Sequence, residues 1–96
     1  MKFKDLVEGG TYKLRVPYEA YEKNLRGEGS LGNLMDYLEV EDVNDIKGKE
    51  VVVESLVEDS LDDRNLVAIL ISLKEDRSKV MQYVGRSEEF VDFLYE

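Results

Sequence analysis

Carboxylates are the only abundant reactive side chains in this 96-residue chain, with 22 Asp and Glu against 13 Lys and Arg and neither Cys nor His. Without thiol or imidazole there are no disulfides, no thiolate nucleophile and no zinc or copper site of the usual ligand types. Any metal would have to be a hard cation on oxygen ligands. Ser30, Ser55, Ser60 and Ser72 lack a His base, and no Ser-x-x-Lys spacing replaces it. Two carboxylates can divide acid and base roles in hydrolysis when their environments differ. Here the acids are so numerous that pairs arise by chance, and none sits in an apolar run that would raise its pKa. The expectation is a protein that is not an enzyme and that carries no cofactor and no metal.

Two stretches imitate binding loops. GEGSLG, residues 27–32, has the spacing G-x-G-x-x-G that lets a phosphate approach backbone N–H groups. It follows a predicted helix instead of a strand, and Glu28 stands where a phosphate would approach, so a plain loop is expected. DVNDIKGKE, residues 42–50, gathers Asp42, Asn44 and Asp45 ahead of Gly48. A calcium loop would need an oxygen ligand at the fifth position, occupied here by Ile46, and glycine at the sixth instead of the seventh.

Charge is more informative than motif. Between Asp36 and Asp63, eleven acids face only Lys47 and Lys49, so this central stretch holds the entire net charge of −9. The rest of the chain balances to zero. A solvated face is the ordinary use of such charge, whereas its concentration in 28 residues suits a basic partner.

The elements that would position these acids are mostly strands. TYKLRV (11–16) alternates Tyr12, Leu14 and Val16 against Thr11, Lys13 and Arg15, and YLEVEDV (37–43) alternates Leu38 and Val40 against Tyr37, Glu39 and Glu41. In EVVVESLVE (50–58), strict alternation puts Val52 and Leu56 on one side with Glu54 and Glu58, and Val51, Val53 and Val57 on the other. LVAILISL (66–73) reads as a central strand, and VMQYV (80–84) as its neighbour across the turn KEDRSK. Pro17 suits the start of a helix bearing Tyr18, Tyr21 and Leu25 on one face, with Gly27 at its end. Leu31, Leu34, Met35 and Leu38 also have helical spacing, which leaves the start of the second strand open. At the carboxyl end, Ser87 can cap a helix with Glu88 and Glu89 in its first turn and Phe90, Phe93 and Leu94 on its core face.

These readings predict a single mainly β (α+β) domain over residues 1–96. Its expected architecture is a small five-stranded antiparallel barrel or strongly bent sheet, SH3-like or OB-like, with a 17–36 excursion and a short C-terminal helix. PYEAYE resembles the acidic, tyrosine-bearing loop of SH3 domains, yet the chain has no Trp and one Pro, so proline-rich ligands are not expected. The longest apolar run, LVAILISL, is far short of the roughly 20 residues of a membrane helix, and KFKDLVEGG interrupts any signal-like stretch. A cytoplasmic location is expected.

The function expected is a non-catalytic acidic interaction module. Its leading form is a nucleic-acid mimic, of the phage inhibitor type, that binds a basic nucleic-acid-binding protein through Glu39, Glu41, Glu54, Glu58, Asp59, Asp62 and Asp63. Direct binding to DNA or RNA is disfavoured by the absence of a basic cluster. The alternative is a structural or regulatory subunit that docks through apolar and tyrosine-bearing surfaces including Tyr18, Tyr21 and Tyr95, with the acids only solubilising.

Overall fold

In β1 (Thr11–Leu14), Tyr12 and Leu14 are buried and Thr11 and Lys13 exposed, as alternation requires. Three longer strands follow, β2 (Glu50–Glu58), β3 (Leu66–Leu73) and β4 (Val80–Arg86), and β5 (Leu94–Tyr95) adds a two-residue edge. A computed structural model describes residues 2–58 and 66–95. All neighbouring strands run antiparallel in the order β4-β3-β2-β1-β5.

The sheet is open, which corrects the expected barrel closure of SH3-like or OB-like kind. Two edges remain because β1 spans four residues and β5 two, too little length to wrap round to β4. The fifth strand is also not the one anticipated. Residues 37–43 form no strand, since Leu31, Leu34 and Leu38 bury one face of a helix, α2 (Leu31–Leu38), that consumes the start of that segment. Glu39 then ends the helix in the left-handed region at φ 58°, and Val43–Asp45 is a short 3-10 turn.

The excursion contains a second helix, α1 (Tyr18–Leu25), which starts after Pro17 as expected. Its end is a Schellman motif. Gly27, at φ 73°, donates its N–H to the Asn24 carbonyl, and Glu28 donates to that of Lys23. The C-terminal helix α3 (Ser87–Val91) has Ser87 as its first residue, with Arg86 in the cap position and no side-chain cap bond. Phe90 and Phe93 are buried as anticipated, while Leu94 is buried from β5 instead of from the helix.

One face of the sheet carries the core. Tyr12, Leu14, Val51, Val53, Val67, Ile69, Ile71 and Tyr83 cluster with Leu31, Leu34 and Leu38 of α2 and with Phe90, Val91 and Phe93. A bulge in β2 decides which residues join them. Val53 stands opposite Ile71 but Ser55 opposite Leu70, so Glu54 is the extra residue. Beyond it the facing reverses: Leu56 packs against the core and Val57 is exposed. Unbroken alternation had grouped them the other way, because one inserted residue exchanges the two faces. Among the described residues no helix is long and apolar enough to cross a membrane.

Candidate partner-binding surface

The turn between β3 and β4 (74–79) meets the acidic stretch with three cations. Lys74 Nζ lies 2.9 Å from Glu50, Arg77 Nε 2.6 Å from Glu54 and Lys79 Nζ 3.1 Å from Glu39. The Lys79 carbonyl also accepts from the Tyr37 hydroxyl at 2.7 Å, which ties the end of α2 to the same turn. Glu54 accepts a second bond, from Ser72 Oγ at 2.6 Å, and these donors hold its carboxyl down to about 2. Arg77 is correspondingly raised by its bond to Glu54. Glu50 is lowered by the hydrogen bond and charge of Lys74. Each pair is solvent-accessible and worth little singly, but together they engage three acids with the chain's own cations.

The expected row of carboxylates therefore divides. Glu39 caps α2 and Glu41 lies in the connection after it, so no strand sets them side by side. Glu54 occupies the bulge, and Glu58 ends β2 with its Cα opposite that of Val67. Asp59, Asp62 and Asp63 lie outside the described residues.

Both imitation loops have structural uses. The N–H and hydroxyl of Ser30, in GEGSLG, donate to one oxygen of Glu89 at 3.1 and 3.0 Å. The start of α2 thus receives a carboxylate from α3, the kind of charge that a helix N-terminus favours. In DVNDIKGKE, Asp42 accepts the Asn44 N–H at 2.8 Å and caps the 3-10 turn. Among the described residues no group of three carboxylates is placed to hold a metal ion.

An open depression of about 660 Å³ lies between α1 and the α2–β2 connection. Tyr18 and Tyr21 line one side; Glu41, Asp42 and Asn44 line the other, with Val16, Val43 and Lys47 completing it. The tyrosines belong to a stripe whose spacing resembles a core face but which points to solvent: Tyr18 is 74% exposed, Tyr21 43% and Leu25 71%. No residue of α1 is buried. Aromatic faces beside two carboxylates can receive a guanidinium or ammonium group by cation–π contact and ion pairing together.

The sequence singles out Tyr18, Tyr21 and Glu41 but assigns the tyrosines and the acid to competing readings. Their juxtaposition depends on a turn after α2 that alternation had mistaken for a strand. Asp42 enters the sequence reading only as charge and as a would-be calcium ligand, and no local pattern marks it as a neighbour of α1. Comparison with known proteins finds no matching family model, no matching curated protein and no matching solved structure.

Proposed function

We propose that this chain is a non-catalytic acidic interaction module that binds a basic, nucleic-acid-binding protein in the cytoplasm, competing with nucleic acid for that partner. The observation that carries this reading is the outward stripe of α1, Tyr18, Tyr21 and Leu25, beside Glu41 and Asp42. An exposed aromatic patch next to carboxylates has the composition of an interaction centre for Arg and Lys side chains. The net charge of −9 adds long-range attraction for a basic partner and repels nucleic acid itself. The proposed contact surface centres on α1 and leaves out Glu39 and Glu54, which are engaged by Lys79 and Arg77.

The stripe also supports a second reading, in which α1 docks as a subunit contact through Tyr18 and Leu25 and the acids only keep the chain in solution. Salt and competition separate the two. The chain is used as bait at low and high salt, the captured protein is purified, and double-stranded DNA is added to the complex. Loss of the complex with salt and with DNA supports mimicry. A complex indifferent to both supports the subunit reading.

A further inference from the structure

The two edges of the sheet are unequally protected. At one edge β5 is two residues long, which leaves little backbone to pair. At the other, β4 presents seven residues, VMQYVGR, containing no Pro, no acid and a single charge at Arg86. Sheets ordinarily protect so long an edge with charge, proline, a bulge or a covering segment. The N–H of Leu73 donates to the Lys79 carbonyl at 3.3 Å. Antiparallel alternation then directs the backbone of Met81, Tyr83 and Gly85 to β3, and that of Val80, Gln82 and Val84 outward. Among the described residues no protein group bonds the outward N–H and C=O groups of these three. Val80 and Val84 are 47% and 66% exposed, and Val84 continues a row through Ala68 to the exposed Val57.

We propose that β4 pairs antiparallel with β4 of a second copy of this chain, about a two-fold axis at Gln82, joining two sheets into one. In that register Val80 lies opposite Val84 of the second copy and Gln82 opposite its counterpart. Every outward N–H and C=O from Val80 to Val84 then meets a partner, and the exposed valines cover each other on one face. Charge favours the same register. Arg86 falls opposite Ser78 of the second copy, which brings its guanidinium to the turn that carries Glu75 and Asp76, the cations Arg77 and Lys79 of that turn being engaged by Glu54 and Glu39 of their own chain. Two like copies choose this register because the edge is complementary to itself; an arbitrary foreign strand would not supply those end charges.

Sedimentation over a range of concentration and salt tests the assembly. Two chains of net −9 repel, so the dimer should strengthen as salt screens them, opposite to binding of a basic partner. Hydrogen exchange locates the contact. The amides of Val80, Gln82 and Val84 should slow as concentration rises, while those of Met81 and Tyr83 are protected throughout. Gln82→Pro removes the central outward donor without touching the bond to β3 and should weaken the dimer by roughly tenfold or more. Val84→Lys, at an exposed side chain, should do the same if the proline variant fails to fold. A chain that stays monomeric at millimolar concentration in high salt overturns the proposal, as does a dimer whose protection falls outside β4 or that survives both substitutions. Protection of these amides only in complex with another protein would assign the edge to a foreign strand instead.

Discussion

The carboxylate of Glu54, on β2, accepts a 2.6 Å hydrogen bond from Arg77 Nε in the turn between β3 and β4. Ser72, fully buried in β3, donates to the same oxygen. The bulge that displaces Glu54 from the regular ladder thus places an acid over the buried Ser72 hydroxyl. Both bonds fall on Oε1 and tie this acid to the fold.

Acid stability should report the arrangement. Glu54 titrates at about 2, below its ordinary value of 4.5, because Arg77 and Ser72 stabilise the ionised form. Its folded-state pKa is depressed, so its contribution is fully present above the ordinary glutamate range and is lost as pH falls towards about 2. Glu50 and Asp76 are lowered as well and act in the same sense. Urea unfolding measured from neutral to acid pH should therefore fall less steeply in Glu54→Gln than in the native chain. Identical slopes would mean that Glu54 titrates normally.

Glu39 should be replaceable with profit. It holds φ 58° at the end of α2, where its N–H donates to Asp36 and the next residue's to Met35, a position suited to glycine. Its pair with Lys79 is on the surface and offsets little. Glu39→Gly should stabilise the chain by about 1 kcal/mol, read from the urea midpoint. A loss of stability would show that the Glu39–Lys79 contact matters more than the backbone strain.

The connection from α2 to the 3-10 turn at Val43–Asp45 also shows how far the sequence can be read. The hydrophobic runs of β2, β3 and β4 were legible because burial repeats over many residues, and the α1 boundaries because Pro17 and Gly27 are local signals. Residues 37–43 were ambiguous in type: Leu38 and Val40 satisfy a strand, but Leu38 also completes the face begun by Leu31 and Leu34, and the longer pattern prevailed. The bulge at Glu54 leaves no signature in composition, yet it exchanged the faces of Leu56 and Val57. The candidate surface was less legible still, since Tyr18 and Glu41 are brought together only by the tertiary arrangement.

Gly85 should resist even a methyl group. A Cβ there would lie 2.8 Å from the Tyr83 hydroxyl and 3.0 Å from its ring carbon. That ring cannot swing away easily: it is buried, packs tilted against Phe90 with centroids 5.0 Å apart, and its hydroxyl donates to the Arg86 carbonyl at 2.9 Å. Gly85→Ala should cost about 1–3 kcal/mol by overpacking, measured by thermal or urea unfolding. An unchanged midpoint would mean that Tyr83 has room to shift.

In the proposed function, Tyr18, Tyr21, Glu41 and Asp42 act as one surface for basic side chains. Its most direct measurement is an NMR titration of the labelled chain with an arginine-rich peptide, repeated on Glu41→Lys/Asp42→Lys and on Lys47→Ala. Saturable shifts centred on those four residues are expected, lost in the double reversal, stronger without Lys47, and weakened by salt as the Debye length shrinks from about 10 Å at 0.1 M. Shifts spread evenly over all the acids, or unchanged by the reversal, would contradict it.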